Sequence, residues 1–330
     1  MGTGHFVESV NLLKGAREKG FKCILWTTDT TPVSITNDLS IECNFYNSNK
    51  LKDEIPSIKK SCVESRSKVM VFNLRNITND ALSLFDFDDI KHICIDELGN
   101  KHLDCDVIIN PLIGKNRHKY FSNNKRLDLY AGPCYLSISP KIQNAPCCKN
   151  YNNSEIKTVS VCMGGVDRSG ATLKLIDVLA DWKPEVRKKI IVGAAFAHLK
   201  EVRKKIDKLK KKNYEMFHNV NDIGSIFSES DVVFTAGGNV LYELACMGIP
   251  AIVLYEDEHE MENGVEFEKK GFGICVGSSM EASNEDILNA LLQFNKCHFR
   301  YFNSIRGREL VDGKGMNRVL DIISNLCNEN

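Results

Sequence analysis

Short apolar runs alternate along the chain with longer stretches of three-to-four periodicity, and the clearest instance is DVVFTAGGNVLYELACMGIPAIVLYEDE, residues 231–258. Val232, Val233 and Phe234 form the kind of run that a parallel sheet buries on both faces. Gly237 and Gly238 follow where the chain must turn, and Leu241, Leu244, Ala245 and Gly248 then recur at helical spacing. A Gly-Ile-Pro break ends that helix, and a second buried strand starts at Ala251. The same order occurs upstream: a strand from Thr158 to Met163, a turn at Gly164 and Gly165, and a helix from about Gly170 to Ala180. Strand starts are expected near Thr158, Lys189, Tyr214, Asp231, Ala251 and Gly273, each followed by a helix or turn. This predicts a complete Rossmann-like domain.

The first half is less regular. Phe6, Val10, Leu13 and Ala16 predict a helix that ends at Gly20, and Cys23 to Thr27, Val69 to Leu74, Ile93 to Ile95 and Val107 to Asn110 read as strands. The turn Gly2, Thr3, Gly4, His5 needs a strand leading into it, yet only Met1 precedes it. The N-terminal domain is therefore expected to lack its first strand, through a truncated or misassigned start. A polar, turn-rich stretch from Pro140 to Asn153 marks a linker. The division that follows is α/β throughout: an N-terminal Rossmann-like domain at 1–140, a linker at 141–155 and a C-terminal nucleotide-binding domain at 156–330. The final glycine turn and helix, Asp312 to Leu326, could pack back across the cleft between the domains.

Composition narrows the partners. Lys plus Arg equals Asp plus Glu at 43 each, so no net field recruits nucleic acid or an anionic membrane surface. No run approaches the ~20 apolar residues of a membrane span. The 13 cysteines lack a CxxC pair or a Cys/His metal spacing and no secretory segment precedes them, which predicts the reducing cytoplasm. Oligomeric state is not set by the sequence.

The glycine turns carry the candidate chemistry. Gly164 and Gly165, and Ala236, Gly237 and Gly238 with the adjoining Asn239, place bare backbone amides at the positive ends of helix dipoles, where a phosphate can approach. Glu243, one turn inside its helix, suits ribose hydroxyls. His5 sits in the first turn of its own helix, where the dipole disfavours imidazolium and leaves a neutral ring able to accept a proton. Asp96 reads equally as a cleft carboxylate or a helix N-cap, and Asp167 as a cap or a water-binding acid.

The ordered set of GTGH, Ile95 to Leu98, Asp104 to Asn110, Gly132 to Tyr135, Met163 to Asp167, Ala236 to Gly238, Leu241 to Glu243 and Asp312 to Gly315 resembles the UDP-sugar hydrolases of pseudaminic acid biosynthesis and related spore-coat polysaccharide biosynthesis proteins. The C-terminal half also resembles the GT-B lipid II N-acetylglucosaminyltransferase. The resemblance implies a GT-B-like pair of Rossmann-like domains facing across a cleft. It further implies hydrolysis of a UDP-linked 2,4-diacetamido-2,4,6-trideoxyhexose by water, with UDP as product and neither metal nor cofactor. By position, His5 would be the general base, Gly4 and Tyr135 would line the cleft, the glycine turns would cradle the diphosphate and Glu243 would hold the ribose. His259 and Glu260 stand where the family usually has an Asn-Gln pair near the phosphates or sugar. The chain departs elsewhere too: Glu8 and Ser139 replace arginines, Asn73 replaces an aspartate and Glu97 replaces the second acid of an Asp-Asp pair. A changed sugar specificity or a lost activity fits those departures, and the alternatives to the hydrolase are a GT-B glycosyltransferase using a UDP-sugar donor and a non-catalytic nucleotide-sugar binder.

Overall fold

The computed structural model describes residues 4–28, 42–46, 51–74, 77–87, 89–122, 127–145, 155–209 and 213–328. Two compact units emerge, one made of residues 1–139 with 313–330 and the other of residues 140–312.

In the first unit, a helix at Gly4–Glu18 precedes two parallel strands, β1 (Ile24–Thr28) and β2 (Glu42–Tyr46), with Ile24 opposite Glu42. The main sheet contains β3 (Val69–Asn73), β4 (Lys91–Ile95), β6 (Val107–Asn110) and β8 (Asp128–Ala131), parallel and in that spatial order. A two-residue ladder joins β5 (Lys101–His102) to β7 (Tyr120–Phe121). Alternation along the strands builds both faces of the core. Phe72, Cys94 and Ile108 pack with Ile58, Leu82 and Phe85 on one face, and Ile93, Ile95, Val107 and Ile109 pack with Leu12, Ala16, Val319 and Leu320 on the other. The helix Gly4–Glu18 is the first described element, and it buries Val10, Leu12 and Ala16, with Leu13 only half-buried.

The second face is closed by the helix Gly315–Asn328, so the C-terminal segment belongs to the first unit and not, as the sequence suggested, to the domain beginning at 156. Contact at both ends fixes it. A Cβ on Gly15 would lie 2.9 Å from Leu320 Cδ1, and one on Gly315 would lie 2.1 Å from the Leu136 carbonyl oxygen. Arg318 donates to the Cys134 carbonyl at 2.8 Å, tying the helix to the Gly132–Tyr135 turn. The expected linker also begins within structure. The short helix Pro140–Gln143 packs in the second unit, where a Cβ on Gly224 would sit 3.1 Å from Ala145 Cβ, while residues 146–154, including Cys147 and Cys148, lie outside the described residues.

The second unit contains all six expected strands: β9 (Thr158–Cys162), β10 (Arg187–Val192), β11 (Tyr214–His218), β12 (Val232–Thr235), β13 (Ala251–Tyr255) and β14 (Ile274–Ser278). They form one parallel sheet in the order β11-β10-β9-β12-β13-β14. Val159, Val161, Val232, Phe234 and Ile252 are fully buried because helices cover both faces, which explains their unbroken apolar runs. Among the described residues no helix is long and apolar enough to cross a membrane.

Candidate nucleotide site

The sheet order reverses between β9 and β12, which are hydrogen-bonded neighbours with Cys162 opposite Thr235. Chain connections leave this pair in opposite directions, opening a crevice at the carboxyl ends of the strands where doubly wound sheets take ligands. Both glycine turns leave the sheet here, side by side. Gly164 has φ of +83°, and a Cβ on Gly164 or Gly165 would meet no atom within 4 Å. Their bareness is therefore not demanded by packing at that point. The loop after β10 approaches from one side, where a Cβ on Gly193 would be 3.1 Å from Gly165 Cα.

The second turn is held much more tightly. Gly237 has φ of +104°, and its Cβ would come within 2.7 Å of the Glu260 carbonyl oxygen. Asn263, buried, donates its side-chain amide to the Gly237 carbonyl at 2.9 Å and accepts from the buried Tyr242 hydroxyl at 2.9 Å. The helix Asn239–Met247 starts directly after Gly238 without a side-chain cap, so its first amides remain available to an anion. By contrast, both oxygens of Asp167 are spent on the helix Ala171–Asp181, accepting from the amides of Ala171 at 2.8 Å and Thr172 at 2.9 Å. Asp167 is thus a buried cap and not a cleft acid.

Three carboxyls border the turns. Burial pushes Glu243 up to about 7, and its charge is felt at Cys162, the last residue of β9. Burial also pushes Glu260 up to about 7, opposed by the Glu256 amide, which donates to its carboxylate at 2.8 Å. Glu256 differs. Burial raises it, but the Ser169 hydroxyl at 2.7 Å and the amides of Ser169 at 2.9 Å and Arg168 at 3.2 Å outweigh that and hold it below the ordinary carboxylate range. It ties the loop after β13 to the loop after β9. His259 occupies the first turn of the helix Glu258–Lys269, half-buried, and Asn239 is exposed at the head of its own helix.

The second unit therefore gathers Gly164, Gly165, Ala236, Gly237, Gly238, Asn239, Glu243, His259 and Glu260 at one end of one sheet. The remaining candidates belong to the first unit. Gly4 and His5 open its first helix, with their side-chain surroundings, like Gly2 and Thr3 altogether, outside the described residues. Tyr135 stacks edge-on to Tyr130 at 5.6 Å. Asp96 is fully buried and is neither a cleft acid nor a helix cap: it accepts from the Gly99 amide at 2.7 Å, Lys101 Nζ at 2.9 Å and the Tyr120 hydroxyl at 2.8 Å. Sequence reasoning missed Asn263, Tyr242 and Glu256. Asn263 lies one helical turn beyond His259, a spacing that could have drawn attention to it.

Residues 162–307 match the profile of the glycosyltransferase family 28 C-terminal domain, the span that holds every element of this site. The chain is 29% identical over 278 residues to the spore coat polysaccharide biosynthesis protein SpsG of Bacillus subtilis, covering 77% of this chain and 80% of that one. It is 22% identical over 349 residues to the uncharacterised protein MJ1062 of Methanocaldococcus jannaschii, covering 99% of this chain but only 64% of that longer protein. Among solved structures, MurG of Acinetobacter baumannii superimposes with a TM-score of 0.72 at 11% identity, over 98% of this chain and 96% of that one. Anabaena Alr3699/HepE, solved in complex with UDP and glucose, superimposes with a TM-score of 0.58 at 14% identity, over 98% and 96%. The fold is GT-B-like.

Proposed function

We propose that the chain is a nucleotide-sugar hydrolase of surface polysaccharide or nonulosonic acid biosynthesis that removes UDP from a UDP-2,4-diacetamido-2,4,6-trideoxyhexose. The observation that carries the nucleotide reading is the pairing of two glycine turns at the β9/β12 reversal, one of them opening an uncapped helix that bears the half-buried Glu243. Amides of the turns would hold the diphosphate, and the Glu243 carboxylate would accept from ribose hydroxyls. Water attacks the anomeric carbon, His5 takes its proton, and the bond from that carbon to the β-phosphate oxygen breaks with its electron pair leaving on UDP. His5 is the second residue of its helix, at the end where a helix dipole disfavours imidazolium.

The match of residues 162–307 to a glycosyltransferase profile favours a second reading, transfer of the sugar to a carbohydrate hydroxyl. Incubation with the UDP-sugar in ¹⁸O-water separates the two. Hydrolysis releases UDP without an acceptor, puts the label on the anomeric hydroxyl and is lost in His5→Ala. Release only when an acceptor is added identifies the transferase, and UDP binding without release under either condition identifies a non-catalytic binder.

A further inference from the structure

The loops at the carboxyl ends of β9 to β14 comprise residues 163–170, 193–198, 219–222, 236–238, 256–257 and 279–283. Carboxylates are plentiful there and mostly committed: Asp167 caps one helix, Asp222 caps another through the Ser225 amide at 3.1 Å, Asp257 caps a third through the Glu260 amide at 3.0 Å, and Glu256 grips the first loop. Lysine or arginine occurs once in all six loops, at Arg168. The one histidine, His198, faces Glu201 at 3.4 Å.

Arg168 follows the bare Gly164 and Gly165 and is fixed through its backbone. Its amide donates to Glu256, the preceding Asp167 is buried with φ of +49°, and the following Ser169 hydroxyl bonds both Glu256 and, at 2.9 Å, the Ser279 hydroxyl. Its side chain is exposed and pairs with none of the described residues. A diphosphate on the glycine turns would meet amides, which donate hydrogen bonds but carry no net charge, and two carboxyls at Glu243 and Glu260. A guanidinium in this unit would add to the turn amides the net positive charge that a multiply charged anion favours.

We propose that Arg168 is the residue that neutralises the diphosphate, its guanidinium forking onto phosphate oxygens while Asp167 and Glu256 hold the loop in place. This rests on the reading of the second unit as a nucleotide site. The test is titration calorimetry of uridine, UMP and UDP with the full chain, Arg168→Ala and Arg168→Lys. Arg168→Ala is expected to weaken UDP by ~10–100-fold, the effect of losing charge-assisted hydrogen bonds, to leave uridine unchanged and to affect UMP less than UDP. Arg168→Lys should recover part of the loss, because an ammonium restores charge but not the fork. Unchanged UDP affinity in Arg168→Ala, or an equal loss for uridine, overturns the proposal while the nucleotide reading stands. Absence of UDP binding by the unaltered chain overturns both.

Discussion

Asn73 donates its side-chain amide to the Glu8 carboxylate at 3.1 Å, and so joins two positions at which the chain departs from the UDP-sugar hydrolases it resembles. Asn73 also donates to Ser9 Oγ at 3.1 Å. This chain carries an acid and an amide at these positions, and the two join the helix Gly4–Glu18 to β3.

This makes a double-mutant cycle decisive. Glu8→Arg alone faces Asn73 without an acid and should cost about 1–2 kcal/mol, the range for a hydrogen bond to a charged group in a half-buried setting. Asn73→Asp alone sets two carboxylates together and should cost at least as much. The pair Glu8→Arg with Asn73→Asp should regain most of it, read as a coupling energy from urea denaturation. Strictly additive losses would show that the two positions are not exchanged as a unit.

The glycine turns should respond oppositely to the same substitution. Gly165→Ala adds a methyl group into open space, so stability should hold within ~0.5 kcal/mol while UDP affinity drops as the methyl obstructs the phosphate. Gly237→Ala strains a φ of +104° and drives Cβ against the Glu260 carbonyl, and should destabilise the unit by ~2 kcal/mol or more. Asn263→Leu, which orphans the Gly237 carbonyl and the Tyr242 hydroxyl, should cost ~1–3 kcal/mol and loosen the same turn. Thermal melts and UDP titrations on these variants check the pattern, and a Gly165→Ala protein that binds UDP normally would remove that turn from the site.

Asp96 should behave as a structural group. Asp96→Asn leaves the half-buried Lys101 without its carboxylate and should lower stability by about 1.5–3 kcal/mol, the range for losing hydrogen bonds to a charged group. At a temperature where the variant stays folded, UDP release per folded molecule should be unchanged. A fall in turnover at full folding would restore Asp96 as a candidate cleft carboxylate.

Legibility of the fold followed burial. The four inner strands of the second unit, β9, β10, β12 and β13, were readable because both their faces are buried, which leaves apolar runs such as Val232 to Phe234. β8 was not readable: Asp128 and Leu129 are exposed at the sheet edge and carry no such run. The path of the final helix was open in the sequence for a similar reason. Val319, Leu320 and Ile323 announce an apolar face but not which unit it covers, and only the contacts of Gly15 and Gly315 decide that. At the site, glycine pairs stand out by composition, whereas the burial of Asp96 beneath the distant Tyr120 and the left-handed backbone at Asp167 are not written in the local sequence.

Glu243 gives the pH dependence a sign. Its carboxyl titrates at about 7 in the folded chain against an ordinary 4.5, so between these values the native state holds more protons than the unfolded state. Stability must then fall as pH rises from ~4.5 through ~7 and level off above, by up to ~3 kcal/mol from this group. Glu260 contributes with the same sign, whereas Glu256, held low, contributes stability that is lost on acidification. Glu243→Gln isolates the first: its stability relative to the parent should climb over that window and stay level outside it. Ribose hydroxyls donate more strongly to a carboxylate than to the neutral acid, so binding of uridine, which carries no phosphate of its own to titrate, should release a proton near pH 6.5 and tighten as pH rises towards ~7.5. Calorimetry in buffers of different ionisation enthalpy measures that proton directly. Release that persists in Glu243→Gln would place the ribose on another group, and release abolished by it would place the ribose on Glu243.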